Sequence, residues 1–425
     1  MIEIQKGNME GKGRESLLSP YRILDITDEK GFLCGKIFGD LGADVVKIEP
    51  PEGDRARNIG PFYYDIPNPE KSLFWFSYNT SKRGITLNLN ISDGRDIFKR
   101  LVKAADLVIE SFQPGHMDKL GLGFNDLSDI NPRIIMTSIT PFGQTGPYKD
   151  YKASDIEVLA MGGYLYLCGD KDRPPVRISF PQAYLHAAAE AALGSMVALY
   201  HRELCGEGQH VDVSAQECCI SMLYNAKPFW FLNNKILERE GYFWVGVSGQ
   251  IQQMIWPCKN GAVTFFIIGG KSGARSNKAL VNWMNSEGMA DEFLRGINWD
   301  SLDLTSVNQD FINRIGEPFK SFFIKHTSVE LYEEALKRRI MLYPVSNIKD
   351  LLESEQLAAR DYWVKVKHPE LGTELIYPGP FIKLSETPIR ISRCAPQIGE
   401  HNGEIYQEIG FSKEELMVLK QSHII

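Results

Sequence analysis

Residues able to do chemistry are sparse in this chain, and the first to consider stand at the head of one long helix. In RPPVRISFPQAYLHAAAEAALGSMVALYHRELCGEGQHVDVS, Pro174 and Pro175 brace the start, because proline fixes φ and pushes the preceding residue out of the helical region. Ala183 opens an alanine-rich helix, Gly206 closes it, and His210–Ser214 reads as a strand. A helix N-terminus offers unpaired N–H groups and the positive end of the dipole, which suit an anionic ligand or a developing oxyanion. The side chain in that first turn is Tyr184. On pattern alone, the segment serves equally as a core helix of an α/β domain. Asp170 and Asp172 precede the prolines in what reads as a charged turn, and Glu190 lies about two turns into the helix. The eight histidines show no H-x-x-x-H or mixed Cys/His spacing, so no metal is expected. Neither G-x-G-x-x-G nor a phosphate-binding G-x-x-x-x-G-K-[ST] occurs, so no nucleotide redox cofactor is expected; Ile267–Gly273 (IIGGKSG) reads as a strand-end turn.

The elements that must position these residues alternate. Tyr21–Thr27, Val45–Glu49, Ile85–Leu89, Asp106–Glu110 and Ile134–Ile139 read as strands, with helices over Gly31–Leu41, Ser92–Ala104 and Phe124–Ile130 between them. Repeated strand–helix–strand units imply a parallel, doubly wound α/β sheet. Its ligands sit beyond the carboxyl ends of the strands. Those ends carry Pro50–Arg57, Asn90–Ser92, Ser111–Lys119 and Thr140–Gly146, whose N–H groups and cations suit a phosphate-bearing ligand. Residues 1–20 are polar and read as a flexible extension, 21–232 as the first part of a large domain, 233–342 as a smaller α+β domain with linkers, and 343–425 as a return to the large domain. The chain's 425 residues, 43% of them hydrophobic, can fill two cores. A net charge of -7 without a long basic run argues against nucleic acid. Seven scattered cysteines without a CxxC pair read as reduced thiols, and no uncharged apolar segment is long enough to span a bilayer. A cytoplasmic protein is expected.

Seven motifs in order, LDIT, GDLGADVVKIEPPEGD, NTSKRGITLNLN, ADLVIESFQPGHMDKLGLGF, NPRIIMTSITPFGQTGP, RPPVR and GEGQHVDVS, resemble the family III CoA-transferases. The resemblance implies a Rossmann-like large domain built from both chain ends, an inserted small domain, and two ring-shaped subunits interlocked as a dimer. It implies coenzyme A as acyl-CoA co-substrate. In the family, an aspartate attacks the thioester to give an aspartyl anhydride and CoA thiolate. The thiolate returns to give an aspartyl-CoA thioester, which the acceptor carboxylate then attacks. The exchange needs stabilised oxyanions and exclusion of water.

Carried over position by position, the aspartate falls on Tyr184, which cannot form an anhydride. CoA contacts fall on Leu87, Asn90, Ser111, Phe112, Lys119, Thr140 and Phe142, with Lys119 replacing an arginine and losing its bidentate fork. The glycine-rich substrate loop corresponds to Gly246–Gln250, with Gly249 and Gln250 at its end, where an ordinary turn fits as well. Some members are heteromeric, with the aspartate on only one of two related subunits. The expectation is therefore an aspartate-free subunit completed by a homologous aspartate-bearing partner. Together they would move CoA from a succinyl-CoA-like donor to an aromatic or bulky dicarboxylate such as benzylsuccinate. Tyr164, Tyr166, Phe229, Trp230 and Trp244 are candidates for an apolar pocket or for core. Alternatives are a self-sufficient homodimer using another carboxylate, a non-catalytic CoA-binding protein, and an acyl-CoA racemase, whose histidine and aspartate positions hold Ser154 and Tyr184.

Overall fold

The computed structural model describes residues 16–224, 226–246 and 249–425. They form two compact units. The larger takes the chain up to Leu165, Ile178–Asn234 and Gln356–Ile425; the smaller takes Tyr166–Arg177 and Lys235–Glu355.

In the larger unit the chain runs β1 (Arg22–Ile26), α1 (Phe32–Asp40), β2 (Asp44–Glu49), α2 (Leu73–Tyr78), β3 (Lys82–Thr86), α3 (Ser92–Val102) and β4 (Leu107–Glu110). It continues through α4 (His116–Lys119), α5 (Phe124–Ile130), β5 (Ile135–Thr140), α6 (Asp155–Met161), α7 (Ala183–Cys205) and β6 (His210–Ser214). The six strands form one sheet in the order β3-β2-β1-β4-β5-β6, with every neighbouring pair parallel. That is the doubly wound order whose strand sequence reverses between β1 and β4, so a crevice opens at their carboxyl ends. α7 lies against the sheet on Ala183, Ala187, Ala188, Ala191 and Ala192, all buried, and Gly206 ends it at φ 84°. Small side chains let its backbone approach β5, where the Ser195 hydroxyl meets Thr137 Oγ1 at 2.7 Å.

Expected and observed boundaries differ where charge is hidden. The strand expected over Ile85–Leu89 begins instead at Lys82, because Lys82 and Arg83 are buried by carboxylates: Asp25 for the first, Asp44, Glu404 and Glu408 for the second. That frees Leu87–Asn90 as a strand-end loop. Val176–Phe180, between the proline pair and α7, forms no strand.

The smaller unit was expected over 233–342. Its main segment is Lys235–Glu355, running past 342 where Leu342–Pro344 pairs with Gly261–Phe265, and the separate stretch Tyr166–Arg177 is tied to it: Arg239 Nε donates to the Asp170 and Arg173 carbonyls, and Gly241 N–H to Gly169 O. Of the expected flexible stretch 1–20, residues 1–15 lie outside the described residues. Within the rest, Leu18 is buried in the core and its N–H donates to Leu41 O.

No helix among the described residues is long and apolar enough to cross a membrane. The one grouping there with metal-ligand chemistry is His368, Glu370 and Cys394. Both ring nitrogens of His368 are engaged, Nδ1 with Glu370 at 2.6 Å and Nε2 with the Tyr377 hydroxyl at 2.9 Å.

Candidate active site

Two cavities of the larger unit share one wall, the loop between β1 and α1. The first, about 380 Å³, lies at the carboxyl ends of β1 to β4 and is lined by Ile26–Glu29, Ile48–Pro50, Asp54, Arg55, Leu87–Asn90, Phe112 and His116. The second, about 510 Å³, is lined by Glu29, Lys30, Phe74, Tyr78, Lys152–Asp155, Glu157, Phe180, Pro181, Tyr184 and Leu185. Glu29 belongs to both.

Tyr184 stands in the first turn of α7, only 7% exposed. Its hydroxyl donates to the Ala153 carbonyl at 2.7 Å and its backbone N–H to Asp155 Oδ1 at 3.4 Å. Burial, then the charges of Asp28, Asp155 and Glu29, push the phenol above its usual range, so it stays protonated. The hydroxyl is a structural donor. Tyr184→Phe is therefore expected to cost about 1 kcal/mol of the larger unit's stability in urea denaturation, with the α7 amide signals unmoved.

The positions expected to contact CoA part company. Leu87, Asn90 and Phe112 line the 380 Å³ cavity, Leu87 fixed by its N–H on Glu49 O at 2.7 Å and Phe112 packed on His116 with centroids 4.7 Å apart. Ser111 is buried behind that cavity. Its hydroxyl donates to Asp28 Oδ1 at 2.7 Å and accepts from Asp28 N–H, tying the end of β4 to the shared loop. Lys119 ends α4 away from the lining, and the guanidinium at the rim is Arg55. Thr140 is buried with Oγ1 accepting from Gly143 N–H at 2.9 Å, and Phe142 lines a separate 330 Å³ cavity with Tyr148 and Asp212. In the smaller unit, Gly249 at φ 87° and Gln250 close the hairpin between Phe243–Val245 and Ile251–Gln253. The Gln250 amide is held by Val307 O at 2.9 Å; Val247 and Ser248 lie outside the described residues. Tyr164, Tyr166, Phe229, Trp230 and Trp244 line neither cavity. The aromatic faces beside Tyr184 are Phe74, Tyr78 and Phe180 instead.

The carboxyls of this region are held apart from their ordinary behaviour. Glu29 reaches solvent, yet desolvation in the cleft and the nearby Asp28 and Asp54 raise it. Glu110, buried at the end of β4, is pushed up to about 7 by desolvation, against hydrogen bonds from Ser138 and from Phe112 N–H. Asp155 and Glu157 are occupied with helix starts: Asp155 accepts at α7, and Glu157 closes a capping box on Ser154. Sequence reading missed Asp28–Lys30. The signal for it was positional, since DEKG follows the first strand and so stands at the crevice of a doubly wound sheet.

Residues 18–402 match CoA-transferase family III. The chain belongs to that family. It is 36% identical over 410 residues to the BbsE subunit of succinyl-CoA:(R)-benzylsuccinate CoA-transferase from Thauera aromatica, covering 94% of this chain and 95% of that one. It is 30% identical over 425 residues to the beta subunit of succinyl-CoA–L-malate CoA-transferase from Chloroflexus aurantiacus, covering 98% and 100%. Among solved structures, a CAIB/BAIF family protein from Brucella suis superposes with a TM-score of 0.81 at 26% identity, over 93% of this chain and 100% of that one. In this family III chain, Tyr184 stands at the head of α7, while three of the positions expected to touch CoA, Leu87, Asn90 and Phe112, line the cavity at the sheet's crevice.

Proposed function

We propose that this chain is the aspartate-free subunit of a heteromeric CoA-transferase. A homologous partner supplies the nucleophilic aspartate, and CoA passes from a succinyl-CoA-like donor to an aromatic or bulky dicarboxylate such as benzylsuccinate. The observation that carries the reading is Tyr184: a phenol stands where the family resemblance puts the nucleophile, and its hydroxyl is committed to the Ala153 carbonyl. The naming of related proteins as subunits of succinyl-CoA-dependent transferases supports the heteromeric context. The aromatic rings of Phe74, Tyr78 and Phe180, with the ammonium groups of Lys30 and Lys152, suit an aryl-substituted acid.

One thioester replaces another, so the chemistry is an exchange between acids of similar energy. The donor's acyl group leaves CoA for the partner's aspartate, forming an anhydride and CoA thiolate. The thiolate then takes the aspartyl carbonyl and releases the donor carboxylate. The acceptor carboxylate attacks the resulting aspartyl thioester, CoA thiolate leaves, and it captures the acceptor acyl group from the new anhydride. This chain's part is to bind and orient. Its β1–α1 loop walls both cavities, and its apolar rings keep water from a hydrolysable anhydride.

A second reading rests on Glu29, a carboxylate that lines both cavities and could capture acyl groups within this chain. Hydroxylamine trapping during turnover separates the two. The mixture of both subunits, quenched with hydroxylamine and digested, is expected to yield a hydroxamate on a partner peptide and none on this chain. A hydroxamate at Glu29 would overturn the heteromeric reading.

A further inference from the structure

Beneath the shared loop lies a buried charge cluster that the transfer chemistry does not use. Asp25 at the end of β1, Lys47 in β2 and Lys82 in β3 are each 0% exposed. Lys82 Nζ donates to Asp25 Oδ2 at 2.8 Å, to the Phe32 carbonyl at 2.9 Å and to Asn79 Oδ1 at 2.9 Å. Lys47 Nζ donates to the Thr27 carbonyl and stands 3.6 Å from Asp25 Oδ1. Asp25 Oδ1 in turn accepts from the Thr27 N–H at 3.0 Å and hydroxyl at 2.6 Å. One end of the Thr27–Phe32 loop is thus held by Asp25 and Lys47, and the other by Lys82. The Phe32 ring lies against both ammonium groups, at 4.8 and 5.4 Å. α1 comes close enough only because residue 35 is glycine: a Cβ there would stand 2.2 Å from Asp25 Oδ2.

We propose that Lys82, acting with Asp25 and Lys47, is a positioning clamp for the Asp28–Lys30 loop, and that losing its proton loosens the loop and weakens CoA binding. An ammonium has three N–H donors, and Lys82 uses all three on acceptors from three elements. A neutral amine has two. Deprotonation must therefore release an acceptor. The groups that face Lys82 are Asp25, Lys47 and Cys34. Lys47 also has Asp54 at 3.9 Å on the cavity wall. Two cations share one carboxylate at the centre of this cluster, so Lys82 has only part of a counter-ion to hold its proton. Burial, together with Lys47, outweighs Asp25 and pushes Lys82 down to about 8.

The sign of the stability effect is opposite to that of the functional one. An unfolded lysine holds its proton more tightly than Lys82 does, so raising the pH from about 8 to about 10.5 adds stability to the fold. The signature is loss of loop order without loss of fold stability, which a purely structural role would not give.

The inference rests on the CoA-binding reading of the 380 Å³ cavity, and the test has a separate readout for each. The first readout is amide-exchange protection of 28–32, corrected for intrinsic rate, between pH 7 and 9.5. It is expected to fall at least about threefold in the wild-type chain and to stay level in Lys82→Arg, whose guanidinium keeps its charge. The second is the Kd of desulfo-CoA, which lacks the titrating thiol; its weakening is expected over the same range while the urea midpoint does not fall. Wild-type protection that stays level across the range overturns the clamp, whatever the arginine variant does. So does protection that falls alike in a folded Lys82→Arg. Falling wild-type protection with no desulfo-CoA binding at any pH leaves the clamp standing and removes the CoA reading.

Discussion

Assayed alone with succinyl-CoA and benzylsuccinate, the chain is expected to exchange CoA at least about 10⁴-fold more slowly than an equimolar mixture with its homologous partner. Removing an enzyme's covalent nucleophile costs on the order of 10⁴–10⁶ in turnover, because binding and oxyanion stabilisation alone leave the difficult bond-making step uncatalysed. Nothing at the head of α7 replaces it: the Tyr184 phenol is held protonated, and the Asp155 carboxylate accepts from the Tyr184 N–H. The measurement is radiolabel exchange between succinate and succinyl-CoA, followed for each subunit and for the mixture. Comparable rates for the lone chain and the mixture would show that this polypeptide carries its own nucleophile, and Glu29 would be the residue to replace next.

The largest expected effect on stability belongs to Arg57. It is 1% exposed and lies 3.8 Å above the Trp75 ring. Its guanidinium grips Glu49 through two bonds of 2.6 and 2.8 Å, reaches Glu70 at 2.9 Å and donates to the Pro396 carbonyl. Glu49 is equally buried and lines the 380 Å³ cavity. Arg57→Ala leaves that carboxylate without its cation, and is expected to lower the larger unit's stability by about 3–5 kcal/mol in urea denaturation. Adding Glu49→Gln is expected to recover a large share, because the stranded charge and not the missing contact dominates the cost. A single-variant loss below about 1 kcal/mol would mean that the pair is solvated in the folded protein.

How much of this was readable beforehand depended on whether a residue's environment could be inferred from its neighbours in the chain. α7 was legible because its alanine content and the closing Gly206 mark its extent, and counting from Pro174-Pro175 reached Tyr184 in its first turn. The parallel sheet was legible from its alternation of apolar strands and amphipathic helices. The shared loop was not, because Asp28, Glu29 and Lys30 are charged residues between a strand and a helix, with no local mark of a site; only the strand order makes them the crevice wall. Lys47 and Lys82 carried an unread signal. A lysine inside a strand buried on both faces must find a partner, and the partner, Asp25, lies on the strand that pairs with β2. Lys119, which does not line the 380 Å³ cavity, shows the converse limit: position along α4 does not say which way a long flexible cation points.

The bond from Tyr184 to Ala153 also bears on how such a chain could change over generations. Exchanging the phenol for a shorter acid would give up that bond, open a void where the ring packs, and set one more negative charge among Glu29, Asp155 and Glu157. Installing a carboxylate nucleophile at this position is thus expected to need more than the one substitution.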